Sequence, residues 1–227
     1  MKLSIIIPSF NEAATLAQAI KRVKQVKLSN IIKEIIVVDD GSTDGTRKNL
    51  TKITGITKII LPKNQGKGAA IRHGLTKAAG DYVLIQDADL EYDPEDIPAL
   101  LEPILTGKAR VVYGSRFIGP HKNMLFWHMV GNKLLSLVTN FLFNTTISDM
   151  EVGYKLIPIK LLKSLKLESD RFGFEPEVTA KILKTGVRIY EVPISYAGRE
   201  FSEGKKITWK DGVESFYLLW KYRLVSF

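Results

Sequence analysis

"KEIIVVDDGSTDGT", residues 33–46, is an unbroken apolar run that ends in two acids and a glycine-rich turn. Its Ile and Val residues show no polar alternation, which suits a strand covered on both faces, as in a parallel sheet. Similar runs recur at "LSIII" (3–7), "ITKIIL" (56–61), "DYVLIQD" (81–87) and "RVVYGS" (110–115). Helical patterns fall between them at 12–26, 44–53, 67–79 and 95–106, the last with Asp93 as N-cap and Pro94 at the first helical position. Alternation of this kind predicts an α/β fold, a Rossmann-like, mostly parallel sheet flanked by helices.

In such a sheet, ligands bind beyond the carboxyl ends of the strands. That rule collects "PSFNE", "DDGSTDGT", "DADLE" and "GSRF" into one expected cleft. Asp39 and Asp40 at a strand end suit a ribose hydroxyl or the N–H groups of a base, and equally an Asp-rich turn in which Ser42 or Thr43 caps the next helix. "NQGKGAAIRHG" (64–74) has the glycines and the lysine, Lys67, of a phosphate-binding loop, although it lacks the Walker pattern and also suits a plain helix entry.

"YVLIQDADLEYDPED" (82–96) gathers six acids in a chain whose net charge is +9. Five of them, Asp87, Asp89, Glu91, Asp93 and Glu95, occupy alternate positions, which in an extended segment would point them to one side. Carboxylates about 4 Å apart repel by roughly 1 kcal/mol in water and more beside protein, so a positive partner is expected between them. An Asp-x-Asp at a strand end can bind a hard divalent ion that also bridges a nucleotide diphosphate.

With 227 residues, 45% of them hydrophobic, the chain can bury a full core, and a single domain is expected over 1–227. There are no cysteines, which excludes disulfides, thiolate metal sites and thiol nucleophiles. The excess of 33 Lys and Arg over 24 Asp and Glu suits a phosphate-rich ligand, a nucleic acid or an anionic membrane face. The basic residues are scattered and no recognition motif accompanies them, so nucleic acid is not expected as a partner. The first ten residues are too short for a signal peptide, and a cytosolic origin is expected.

The second half is less regular. A helix is expected at 124–143, where Leu125, Val130, Leu134, Leu137, Val138 and Phe141 lie near one face with Trp127 and His128 at the start. A strand near 152–157, a helix near 174–185, a strand at 187–196 and a last helix near 209–223 follow. The first and last of these helices suit an interfacial position as well as a core one.

"IIIPSFNE", "VVDDGSTDGT", "NQGKGAAIRHG", "DADLE", "YGSRF", "SDMEVGYKL" and "VPISY" together resemble the inverting family 2 glycosyltransferases. The narrower likeness is to the polyprenyl-phosphate sugar synthases typified by dolichyl-phosphate mannose synthase, in order from about residue 3 to 210. The resemblance implies a GT-A fold with amphipathic, membrane-facing helices in the C-terminal half. Residues 1–115 would bind the donor, and 116–227 would bind the acceptor and meet the membrane.

By the same resemblance, Pro8, Phe10 and Glu12 would contact the nucleoside, and Val38, Asp39 and Asp40 would form the base and ribose pocket, with Lys67, Asp87 and Ala88 also on the donor. Asp87, Asp89 and Glu91 would hold Mg²⁺ or Mn²⁺, Glu91 standing where the mannose synthases usually have a glutamine. Asp89, Arg116, Arg199 and Lys205 would carry catalysis, the three basic residues on the phosphates of donor and acceptor, and the loop from Arg199 to Lys206 would close over them. Asp149 would orient Arg116 or the acceptor loop, or act as base toward a hydroxyl acceptor.

The implied activity is transfer of a hexose from a nucleotide-sugar of the GDP-mannose or UDP-glucose type to a polyprenyl or dolichyl phosphate. It would take place at the cytoplasmic side of a membrane, by a peripheral protein that a small membrane-anchoring subunit could assist. The alternatives are a soluble transferase acting on a hydroxyl, and a nucleotide-sugar binding module without activity.

Overall fold

The structure, a computed structural model, describes residues 1–199 and 209–225. The Ile/Val runs form β1 (Lys2–Ser9), β2 (Ile32–Asp39), β3 (Thr57–Ile60), β4 (Tyr82–Ile85) and β5 (Val111–Ser115). Between them lie α1 (Leu16–Gln25), α2 (Thr46–Thr51), α3 (Lys67–Lys77) and α4 (Ile97–Leu105), the last entered through one 3-10 turn at Pro94–Asp96. Strand β1 pairs in parallel with both β2 and β4, and β2 with β3. α1 shows how the helices cover this sheet: Leu16, Ala19, Ile20 and Val23 are buried at the spacing of one helical face.

The later chain supplies β6 (His121–Lys122), α5 (Phe126–Phe143), β7 (Lys155–Pro158), α6 (Ile159–Ser164), α7 (Phe174–Lys184), β8 (Ile189–Pro193), β9 (Tyr196–Ala197) and α8 (Trp209–Leu224). The seven-stranded sheet runs β3-β2-β1-β4-β7-β5-β8, with β6 and β9 in a separate pair. β7 is antiparallel to both β4 and β5, so a strand from the second half is inserted into the sheet built by the first. One apolar core runs from Leu3 to Tyr196 across both halves.

Two local expectations are corrected. Neither Ser42 nor Thr43 caps α2: the N-cap position falls to Gly45, while Asp44 accepts from Thr46 N at 3.0 Å. Ser42 and Thr43 instead bond across to Asn11, which ties the ends of β1 and β2 together. The strand expected at 187–196 breaks after Pro193, and Tyr196 restarts it against β6.

α5 and α8 pack on each other and turn apolar faces outward. In α5 the buried side is Leu135, Ser136, Thr139 and Leu142. Of the expected apolar stripe, Val130, Leu134, Leu137 and Phe141 (81% exposed) point the other way with Trp127 (79%), while Val138 packs against the buried side and Leu125 borders the cleft. α8 adds exposed Trp209, Val213, Tyr217 and Leu224. Among the described residues no helix is long and apolar enough to cross a membrane.

Candidate active site

The carboxyl ends of β1, β2, β4 and β5 open into a cleft of about 390 Å³. Pro8, Phe10 and Glu12 border it after β1, Asp40 after β2, Asp87, Ala88, Asp89 and Glu91 after β4, and Arg116 after β5. Lys67 at the start of α3 and Arg199 after β9 complete the polar wall, and Met124, Leu125, His128 and Met129 continue it along the entry of α5. Val38 and Asp39, expected in the base pocket, do not border this cleft. Val38 belongs to the core, and the fully buried Asp39 is held by Arg47 at 3.1 Å. Lys205 and the rest of the expected lid after Arg199 lie outside the described residues up to 208.

The six acids do not line up as expected. β4 stops at Ile85, and Leu90 takes the left-handed conformation with φ of 66°, so period-two alternation ends there. Asp87, Asp89 and Glu91 stay at the cleft. Asp93 turns away to Arg22 at 2.7 Å and caps Glu95 N at 3.0 Å, while Asp96 accepts from Ser195 N at 2.7 Å.

The positive partners expected among the acids are present. Lys67 Nζ lies 2.9 Å from Asp87 Oδ1 and 2.9 Å from Glu175 Oε1. Burial works against its charge, but Asp87 and Glu175 outweigh it and raise the Lys67 pKa well above the usual lysine value. Arg199 spreads over three carboxylates, with Nη2 2.8 Å from Asp89, Nε 3.4 Å from Glu91 and Nη1 3.4 Å from Glu12. Its backbone N–H also donates to Glu91 at 3.0 Å. Asp89 is pushed up to about 7, by burial first and then by Asp87 and Glu91, with Arg199 opposing.

Glycine is required at two points of this wall. Gly66 has φ of 104°, and a Cβ there would lie 2.4 Å from the Asp170 carbonyl oxygen. Its N–H and that of Gln65 donate to Asp40 at 2.7 and 2.8 Å, but burial still raises the Asp40 carboxyl above its usual range. At Gly153 a Cβ would lie 2.4 Å from Asp87 Oδ2, so a side chain there would displace the acid from its place beside Lys67.

Arg116 is held differently. Its Nε and Nη2 each donate to Asp149 at 2.7 Å, and its backbone N–H donates to the same carboxylate at 3.0 Å. Burial opposes the Arg116 charge, and Asp149 more than restores it. Glu191 of β8 fixes the 148–149 turn by accepting from Ser148 N at 2.7 Å and Asp149 N at 3.0 Å. Asp149 is fully buried and does not border the cleft, and both of its oxygens are taken by Arg116.

Three charged residues were not singled out by sequence reasoning: Glu151 and Glu175, which border the cleft, and Lys155, which is fully buried and does not. Glu151 follows the noted Asp149 by two positions, and Glu175 starts an apolar helix in "FEPEV", where acids on a buried face are the available signal. Burial and then Glu175 push Glu151 up to about 7, with Lys155 opposing. Burial lowers Lys155 to about 8 against the pull of Glu175, Glu151 and Asp149.

The oxygen donors of Asp87, Asp89 and Glu91 suit a hard divalent ion, which would offset the burial and then the negative charge of Asp87 and Glu91 that lift Asp89. With Lys67 and Arg199 seated among them, no three acidic or histidine side chains converge as a metal cage among the described residues.

Residues 4–165 match the family model described as glycosyl transferase family 2. The chain belongs to that family. Among curated family members it is 30% identical over 197 residues to Glycosyltransferase AglJ of Haloferax volcanii, covering 86% of this chain and 63% of that protein. It is 31% identical to the low-salt glycan biosynthesis hexosyltransferase Agl6 of the same organism, covering 87% of this chain and 48% of that protein. Against the dodecaprenyl-phosphate galacturonate synthase of Rhizobium johnstonii the identity is 27%, over 90% of this chain and 62% of that protein. The chain therefore spans about half to two thirds of the length of these relatives. The fold is that of glucosyl-3-phosphoglycerate synthase from Mycobacterium tuberculosis, solved with Mn²⁺, UDP and glucosyl-3-phosphoglycerate. That match has a TM-score of 0.77 at 22% identity, covering 100% of this chain and 81% of the other.

Proposed function

We propose that this family 2 domain transfers a hexose from a nucleotide-sugar to a polyprenyl phosphate, with inversion and with a divalent ion at Asp87, Asp89 and Glu91. The observation that carries the reading is the course of the cleft. It begins at the three acids and Arg116 and runs along Met124, Leu125, His128 and Met129 to the helix whose exposed face holds Phe126 and Trp127. A phosphate headgroup could thus reach Arg116 while its chain stays beside an apolar surface. The Rhizobium relative, by its name, makes a dodecaprenyl-phosphate sugar, which supports the same acceptor class. Residues 1–115 would serve the donor and 116–227 the acceptor and membrane, the latter through α5 and α8 as a peripheral contact.

A phosphate acceptor is already an anion at neutral pH, so no general base is needed. Arg116, pre-oriented by Asp149, would bind the acceptor phosphate and bring its oxygen to the face of the sugar opposite the nucleotide. Phe10 and Glu12 would hold the nucleoside and Lys67 the diphosphate side. Mg²⁺ or Mn²⁺, when bound, would offset the charge of the leaving diphosphate. Arg199 would give up Asp89 and Glu91 on loading and be free for phosphate.

The test is transfer from radiolabelled UDP-glucose and GDP-mannose to a short polyprenyl phosphate, set against a free sugar hydroxyl acceptor, with and without chelator. Product on the lipid phosphate alone, lost in chelator, is expected. Transfer only to the hydroxyl, or full activity in chelator, would overturn the acceptor or the metal assignment respectively.

A further inference from the structure

The cleft floor holds two buried carboxylate oxygens with no hydrogen-bond partner, Glu151 Oε1 and Glu175 Oε2. Glu175 is 3% exposed, and both residues border the cleft. Buried acceptors are costly to leave unpaired, so each marks a place where a donor belongs. The cations beside them are already engaged. Lys67 is shared between Asp87 and Glu175 at 2.9 Å each. Lys155 donates to the carbonyl oxygens of Met150 and Val152 and lies over the Tyr113 ring. Of the other cations that border the cleft, Arg116 is bound to Asp149, Arg199 to Asp89, Glu91 and Glu12, and Arg171 is exposed.

We propose that Glu151 and Glu175 form the sugar-recognition floor, accepting hydroxyl hydrogen bonds from a neutral hexose and rejecting a uronic acid. The proposal rests on the donor reading above and adds the class of sugar. Glu175, Lys67 and Asp87 are linked by two contacts of 2.9 Å in series, so Glu175 lies within about the width of a sugar ring of Asp87, one of the acids assigned to the ion. Unfilled acceptors and filled donors suit a ligand that donates. A sugar carboxylate would add a negative charge beside the Glu175 carboxylate, whose partner Lys67 is already shared with Asp87. This floor thus points to a donor unlike that implied by the name of the galacturonate synthase relative.

The test is calorimetric binding in Mn²⁺ of UDP, UDP-glucose and UDP-glucuronate, and of GDP, GDP-mannose and GDP-mannuronate, to the wild type, Glu151→Gln and Glu175→Gln, each checked by circular dichroism. In the wild type the neutral sugar should bind at least about tenfold more tightly than the matching uronate. Each variant should lose most of that ratio while its affinity for the free nucleotide stays the same, a split that general loosening of the fold would not produce. Glu151→Gln keeps the test decisive where Glu175→Gln disturbs Lys67, because Glu151 has no ion pair with it. Nucleotide binding with equal or better affinity for the uronate, or a ratio untouched by both variants, overturns the floor assignment and leaves the donor reading standing. If neither UDP nor GDP binds, the donor reading fails and the floor assignment fails with it.

Discussion

Arg116 and Arg199 border the same cleft, but one is bound to a single buried carboxylate by three hydrogen bonds and the other is divided among three acids at up to 3.4 Å. The Arg116–Asp149 pair is a fixed strut: both charges are desolvated, and both side-chain bonds of Arg116 go to the one carboxylate. Arg199 stands where acids outnumber cations, and Asp89 is lifted to about 7 despite it. The first arrangement preserves a geometry. On the reading proposed above, the second would be exchanged for a metal ion when the donor loads.

Several experiments would break or sharpen that contrast. The largest effect is expected from Asp89→Asn, which should lower transfer by about 100-fold or more, since on the reading proposed above its carboxylate would hold the divalent ion that offsets the charge of the leaving diphosphate. Its thermal melt should stay within a few degrees of wild type, because the lost charge is one that the fold holds at a cost. A large drop in melting temperature would show that Asp89 supports the fold rather than the reaction.

Asp149→Asn should cost about 3 kcal/mol in urea unfolding, because a buried guanidinium is left without its counter-charge. Arg199→Ala should cost only about 1 kcal/mol, as expected of a shared, solvent-reachable pair, and Mn²⁺ should recover part of that cost. Equal costs for the two variants, or no effect of Mn²⁺, would erase the distinction between strut and exchangeable cation.

Trp127→Ser with Phe141→Ser should weaken flotation with anionic vesicles while shifting stability by no more than about 0.5 kcal/mol per site, since both side chains are exposed. Unchanged flotation would detach α5 from the membrane reading.

The smallest effect concerns pH. The Glu151 carboxyl is raised from 4.5 to about 7, so the folded state holds a proton there that the unfolded state releases. Its contribution is present below about 4.5 and is lost as pH rises to 7. The melting temperature of Glu151→Gln minus that of wild type should therefore be more positive at pH 8 than at pH 5. A difference independent of pH would place the Glu151 carboxyl at its ordinary value.

Much of the fold was legible because β-branched runs and 3.6-residue periodicity are local. The Ile/Val segments located β1, β2, β4 and β5 within two residues, and the strand-end rule placed Asp40, Asp87, Asp89, Glu91 and Arg116 at one cleft. β6 and α6 went unread because two and six residues carry too little pattern. The reversed direction of β7 was equally invisible, since four apolar residues look the same in either sense.

The sequence by itself determined the parallel α/β core and the supply of acids at its strand ends, because burial on both faces demands unbroken apolar runs and leaves polar residues only where the strands stop. It also determined the family. Only the tertiary structure decided which acids face the cleft. Asp87, Asp89 and Glu91 face the cleft while Asp93 turns to Arg22, and the cations that meet the acids come from far along the chain, Arg199 to Asp89 and Lys67 to Glu175. Charge pairing acts through space and takes no account of sequence separation, so those partnerships were set by how the strands and loops pack.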